Sequence, residues 1–250
     1  MPRLALAAIA TTMLLAAPAR AQPLVADLSD HLVKITLGFE GSELLLFGAV
    51  EDEGDVVVVV YGPPETVTVR RKDRTAGVIW MNRDQLTFVN VPAFYQVMAT
   101  RPLGGWLPDA LRERHQIGVE HLDLRPRQAG GSTADRAQIR NFRAALIRRK
   151  EALNHYGAET GTVSMLSARL FRTEVVFPTN VPTGTYTVEV FLVVNGEVVS
   201  AQTTPLYISK VGVLAEIFHF ATTYAALYGL LAILFAVLAG LGANAIFRKV

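Results

Sequence analysis

A long uncharged segment near the C-terminus constrains this chain more than any other feature. Residues Tyr224 to Phe247 read YAALYGLLAILFAVLAGLGANAIF, carry no charge and are followed at once by Arg248 and Lys249. A helix rises about 1.5 Å per residue, so this length covers the ~30 Å hydrocarbon core of a bilayer. We therefore expect one transmembrane helix over residues 221–247, with residues 248–250 as a short end beyond it and the lipid bilayer as a partner.

The N-terminus has the layout of a secretory signal peptide. Arg3 precedes an apolar run from Leu4 to Ala17, and Ala19 and Ala21 form the small-residue pattern that a signal peptidase prefers. We expect residues 1–21 to be removed. An uncleaved N-terminal anchor is the alternative, but the apolar run is short for a membrane span.

The two ends together predict where the chain is located. The positive-inside bias puts Arg248 and Lys249 in the cytoplasm, so residues 22–210 would lie on the other side of the membrane. The Ala- and Arg-rich composition is typical of bacterial proteins. We therefore predict a single-pass protein of a bacterial inner membrane whose N-terminal domain is in the periplasm.

Most of the exported part has the pattern of β-strands. Side chains alternate between apolar and polar from Leu32 to Glu40, and the five consecutive valines Val56 to Val60 are typical of a central strand covered on both faces. Asn195-Gly196 stands between two β-rich runs, which predicts a hairpin because both turn positions need a positive φ.

A helical segment separates the two β-rich regions. Leu107 to Ile117 and Ser132 to Tyr156 have helical periodicity, with Gly157 as the expected stop. We predict a mainly β fold: an immunoglobulin-like β-sandwich over residues 22–210 with a helical insertion over about 104–157, then a juxtamembrane linker over 211–220. Two separate modules are the alternative.

Charge is sorted along the chain. Residues 22–69 contain nine acidic residues against one basic, and residues 70–150 contain sixteen basic against seven acidic. The densest basic group is Arg70, Arg71, Lys72 and Arg74, with Trp80 nearby. This group is a candidate site for a small anion or a lipid headgroup. The alternative is a solvated loop whose charges protect a sheet edge.

The residue types that catalysis and metal binding need are sparse. The chain has no cysteine, which excludes thiol chemistry, and its five histidines are scattered, with His115 and His121 six positions apart. The acidic turn Glu51 to Asp55 lacks the ligand spacing of a calcium loop. We expect no metal, no cofactor, no nucleic acid and no enzymatic activity.

Small residues recur every four positions within the apolar segment. Ala232, Ala236, Gly240 and Asn244 would share one stripe of a helix, which favours close approach of a second helix and a hydrogen bond from the amide. The stripe predicts self-association or contact with another membrane protein. Alternatively, Ala and Gly are simply common in membrane spans.

Several stretches resemble a known family. Residues Tyr61 to Arg74, Asn90 to Leu103 and Leu170 to Leu192, together with the C-terminal span, are similar to a family of alphaproteobacterial transmembrane proteins that has no assigned activity. The resemblance implies a single-pass protein with a periplasmic β-rich domain. It also implies a genomic neighbourhood with permeases that resemble sulfite exporters, so such a permease is an expected partner.

Three functions follow as hypotheses. The leading one is a non-enzymatic accessory protein that binds another envelope protein. The second is a tethered module that holds a small anionic ligand at Arg70, Arg71, Lys72, Arg74 and Trp80. The third is an anchored hydrolase built from dispersed residues, which would need titratable groups in mutual reach within a polar pocket.

Overall fold

The computed structural model describes residues 23–75, 79–127 and 135–247, and the fold is mainly β. The predicted signal peptide, residues 1–21, lies outside these residues. The strands are β1 Leu24–Leu28, β2 Leu32–Ile35, β3 Ser42–Val50, β4 Asp55–Tyr61, β5 Pro64–Thr75, β6 Ile79–Pro92, β7 Tyr95–Ala99, β8 Arg125–Arg127, β9 Gly161–Thr162, β10 Ser164–Met165, β11 Leu170–Phe177, β12 Gly184–Val194 and β13 Glu197–Lys210.

Two sheets enclose the larger core. The first has the order β1-β3-β11-β10 and the second the order β2-β13-β12-β4-β7-β9. Strands from before and after the helical segment pair with each other in both sheets, β3 with β11 and β4 with β12. Side chains of both sheets meet in one buried cluster, so the two β-rich regions share a hydrophobic core.

Strand β4 lies at the centre of the molecule. Its five valines, Val56 to Val60, have no exposed surface. Val56, Val58 and Val60 join the core between the two sheets, whereas Val57 and Val59 join a second core on the outer face of the second sheet. The prediction of a strand covered on both faces is confirmed.

The hairpin between β12 and β13 is also as predicted. Asn195 has φ 54° and Gly196 has φ 80°, and the flanking residues Val194 and Glu197 are paired. An asparagine followed by glycine tolerates these two positive angles at little cost, which is why this dipeptide fixes the register of the hairpin.

The second core is covered by the helical segment and by a third sheet of order β5-β6-β8. The segment contains α1 Asp109–Arg114, a 3₁₀ helix Val119–His121 and α2 Arg136–Ala152. The predicted helix stop at Gly157 is wrong. Helix α2 ends at Ala152, and Asn154 takes the left-handed conformation with φ 57° that commonly terminates a helix.

A glutamine side chain covers the outer edge of β1. The backbone N–H of Ala26 donates to Oε1 of Gln202 at 2.8 Å, and Nε2 of Gln202 donates to the carbonyl oxygen of Ala26 at 2.7 Å. The primary amide thus makes the two hydrogen bonds that a neighbouring strand would make. It joins β1 of the first sheet to β13 of the second.

Two helices follow β13. Helix α3 is Val213–Thr223 and helix α4 is Ala225–Phe247, with a break at Tyr224, where φ is −119° and ψ is 49°. The residues predicted as a linker are therefore largely helical, and the helix predicted to begin at residue 221 begins at Ala225. Among the residues whose side chains the structure describes, which in α4 end at Leu241, no helix combines the length and the hydropathy that crossing a membrane requires.

Candidate functional site

The predicted basic cluster lies on β5, within the β5–β6 hairpin. Arg70 and Arg71 are exposed. Arg74 is the cross-strand neighbour of Trp80, and Lys72 is the neighbour of Asn82. The side chains of Lys72, Arg74 and Trp80 lie outside the described part of the chain. The hairpin thus brings the backbone of Trp80 beside the cluster.

Arg70 borders a groove that sequence reasoning did not foresee. This β5–α2 groove has a volume of about 550 Å³. It is lined on one side by residues 65–70 of β5 and on the other by Ala145, Leu146, Arg149, Lys150, Leu153 and His155. The groove therefore adds two further basic residues, Arg149 and Lys150, to the predicted cluster.

Lys150 is a buried charge within this groove. Only 7% of the residue is exposed. Its Nζ donates to Oε1 of Glu65 and, at 3.1 Å, to the carbonyl oxygen of Ala93, and it lies 5.8 Å from the centre of the Tyr156 ring. Burial of an ammonium group is tolerated because a carboxylate and a carbonyl replace its hydration. The ion pair ties β5 to α2.

His155 lies beside this ion pair. Its Nε2 is 3.1 Å from the carbonyl oxygen of Asn180, so Nε2 carries the proton and Nδ1 holds the lone pair. Among the described residues, Nδ1 is buried and has no hydrogen-bond partner. Burial is the main reason that the pKa of His155 is lowered, and Lys150 lowers it further. The imidazole is therefore neutral at pH 7.

A second cleft, of about 470 Å³, opens over the outer face of β4 and β12. The hydroxyl of Tyr61 donates to the carbonyl oxygen of His115 at 3.0 Å, and the His115 ring packs 4.9 Å from the ring of Phe191. Burial lowers the pKa of His115 and raises the pKa of Glu189, which also lines this β4–β12 cleft. Burial thus disfavours the charged form of each group.

Tyr95 holds the loop that follows His115 at the β4–β12 cleft. Its hydroxyl donates to the carbonyl oxygen of Gln116 at 2.6 Å and accepts the N–H of Gly118 at 2.7 Å. Gln116 has φ 51°, an angle that a residue with a side chain adopts at a cost. The buried tyrosine thus holds the strained turn that places His115 against β12.

We expect Glu189→Gln to stabilise the protein at pH 7, by up to about 1 kcal/mol after allowance for the solvent around this half-buried side chain. The raised pKa means that ionised Glu189 costs the folded state more than the unfolded state. The contribution of Glu189 to the free energy of unfolding is fully present below the pKa of about 4.3 that the carboxyl has in the unfolded chain. It is lost as the pH rises through the higher pKa of the folded state. The gain should therefore shrink towards zero at pH 4.

The measurement is urea unfolding of the two proteins at pH 4 and pH 7. Glu174→Gln, at an exposed position of β11, controls for the loss of one negative charge. An equal effect of Glu189→Gln at both pH values would contradict the assignment of burial as the cause.

The predicted helix-association stripe lies on α4. Ala232, Ala236 and Gly240 are exposed, and a Cβ added at Gly240 would meet no atom outside its own helix within 4 Å. The side chain of Asn244 lies outside the described part. The three small residues thus leave room for a second helix to approach.

Sequence reasoning missed Arg149, Lys150 and His155 because they are about eighty residues from Arg70 along the chain. The one available signal was the helical spacing of residues 145, 149 and 153, which predicts a shared face of α2 but not what it faces. Within the described ranges, no group of three His, Asp or Glu side chains could hold a metal ion.

Comparison with known proteins identifies one family. Searches of the curated proteins and of the solved structures found no match. A family model matches residues 23–249, which is nearly the entire chain. The chain belongs to the family described as "Putative transmembrane protein (Alph_Pro_TM)".

Proposed function

We propose that this protein is a single-pass, membrane-anchored accessory protein, without enzymatic activity, whose β domain binds another protein of the bacterial envelope. The observation that carries the proposal is the exposure of α4. Leu230, Ile233 and Phe235 point in different directions around this helix and are 63%, 68% and 69% exposed. A helix that is apolar on all sides belongs in a protein core or in a bilayer, and the bilayer suits an exposed helix.

The length of the uncharged sequence supports insertion of α4. The side chains of this helix are described as far as Leu241, while the sequence stays uncharged as far as Phe247. At about 1.5 Å per residue the whole helix would span the hydrocarbon core. With Arg248 and Lys249 in the cytoplasm, the β domain would be in the periplasm at the inner membrane.

We propose further that the β domain is immunoglobulin-like. The order β1-β3-β11-β10 corresponds to strands A, B, E and D of that fold, and β13-β12-β4 corresponds to G, F and C. The hydroxyl of Tyr186, near the start of β12, donates to the carbonyl oxygen of Pro182 at 2.6 Å. A tyrosine with this bond at the start of strand F is a hallmark of these sandwiches, which often bind other proteins.

The short connection to the helices restricts what the domain can reach. Strand β13 ends at Lys210 and α3 begins at Val213. Helix α3, which is about 16 Å long, is the only element between the domain and α4, so the domain would stay close to the membrane surface, where its partners would be membrane proteins. The permease resembling sulfite exporters, implied by the family resemblance, is the first partner to look for.

Crosslinking of the full chain in native membranes tests the proposal. We expect a tagged protein to be recovered covalently joined to one other envelope protein, identified by mass spectrometry. An unrelated single-pass protein expressed at the same level controls for random collisions. Recovery as a free monomer, or with the same proteins as the control, would contradict the proposal.

Capture of a small anion is the second candidate function. The observation in its favour is that Arg70 and Arg149 line the same groove. Thermal unfolding of the full chain with sulfate or phosphate separates the two functions. A rise of several degrees that Arg149→Glu removes would favour the anion, and the absence of any rise would favour the protein partner.

A further inference from the structure

Strand β5 has an open edge. Among the described strands it pairs only with β6, and it is the outer strand of the order β5-β6-β8. An edge strand presents a row of backbone N–H and C=O groups that no strand of its own sheet satisfies. Such an edge can bind an extended peptide as an additional strand.

The β5–α2 groove runs along this edge. All six residues from Glu65 to Arg70 line it, which indicates the edge of the strand because one face would contribute only alternate residues. This stretch measures about 17 Å. Across the groove, the last two turns of α2 and its capping residue Leu153 present one face, from residue 145 to residue 153, that is about 12 Å long. The shared length accommodates four or five extended residues.

The lining also selects for charge. The apolar part of the groove wall is formed by Val67, Val69 and Leu153. The charge of Lys150 is matched by Glu65, so Arg70 and Arg149 leave the groove with a net positive charge. An occupant with alternating acidic and apolar side chains complements both features.

We propose that the β5–α2 groove binds an extended, acidic segment of a partner protein, which adds to the edge of β5 as a further strand. The proposal rests on the partner-binding function above and specifies the surface and the chemistry of the partner. Backbone hydrogen bonds to β5 hold the segment, while Arg70 and Arg149 select its acidic side chains.

The test uses the full chain in nanodiscs of phosphatidylcholine, a lipid without net charge. The probe is a fluorescein-labelled hexapeptide, Val-Glu-Val-Glu-Val-Glu, with blocked ends, and binding is followed by fluorescence anisotropy. We expect saturable binding that Arg149→Glu weakens at least about fivefold, because attraction becomes repulsion. Arg140→Glu, at an exposed position of the same helix outside the groove, is the matched control and should leave binding unchanged.

Backbone methylation of the probe distinguishes strand addition from capture by charge alone. In an added strand, alternate residues direct their N–H groups at β5 and the others direct them away. N-methylation of one alternate set should abolish binding, whereas methylation of the other set should leave it within about twofold. No binding of the parent peptide, equal effects of Arg149→Glu and Arg140→Glu, or equal binding of both methylated peptides would overturn the proposal.

The crosslinking experiment separates this proposal from the one on which it rests. Loss of the crosslinked partner in Arg149→Glu, with Arg140→Glu unaffected, supports the groove as the binding surface. If both variants keep the partner, the groove proposal fails while the accessory function stands. If the unchanged protein has no partner, the accessory function fails, and the peptide measurements still decide whether the groove binds a strand.

Discussion

Replacement of Phe171 by alanine is expected to lower the free energy of unfolding by about 3–5 kcal/mol. Phe171 is 1% exposed and belongs to the core between the two sheets. Its ring covers the neighbouring strand at Gly48, where an added Cβ would lie 2.5 Å from Cζ of Phe171. Loss of the ring leaves a cavity beside a glycine that has no side chain with which to fill it.

Urea unfolding followed by circular dichroism measures this effect, as a shift of the midpoint at unchanged slope. Phe47→Ala is the matched control, because Phe47 lies on the same sheet but is 46% exposed on its outer face. We expect that control to cost far less. Similar losses for the two variants would mean that the sheets do not enclose a common core.

Introducing two arginines into α4, as Leu234→Arg with Leu238→Arg, is expected to release the protein from the membrane fraction. These leucines lie one turn apart near the middle of the uncharged sequence. Each arginine at the centre of a bilayer costs about 2.5–3.5 kcal/mol on insertion scales. The pair therefore costs more than the favourable free energy with which a typical single span inserts. The measurement is the distribution of the chain between membrane and soluble fractions after carbonate extraction.

Leu234→Ile with Leu238→Ile is the control, since it keeps the size and hydropathy of both side chains. It should remain in the membrane fraction. A double-arginine variant that stays resistant to carbonate would show that another part of the chain holds the protein at the membrane, and the anchor proposal would be withdrawn.

The parts of the fold that the sequence predicts are those set by local chemistry. Five consecutive β-branched residues suit a strand that is buried on both faces, and Asn195-Gly196 suits a turn with two positive φ angles. The end of α2 differs from the prediction because asparagine, like glycine, adopts the left-handed conformation, and Asn154 does so before Gly157 is reached.

The groove could not be predicted because it depends on which strand packs opposite α2, and the sequence of α2 alone does not specify that strand. The pattern of α2 places Leu146 and Lys150 on one face, but nothing in it says that this face meets β5. The pairing of Lys150 with Glu65 joins positions 85 residues apart. A buried lysine in a helix with many exposed basic residues is indistinguishable from its neighbours until the strand opposite is known.

The proposed anchor would confine the protein to two dimensions, which gives the amide of Gln202 on Ala26 a further consequence. Anchored copies would collide far more often than molecules in solution. Exposed edge strands could then pair between copies and form filaments. The Gln202 amide occupies the hydrogen-bonding groups of Ala26 at the edge of β1, where the strand of another copy would otherwise pair. The edge at β1 is thus protected against polymerisation, while the basic edge at β5 remains accessible. Encounters between crowded copies therefore need not become permanent.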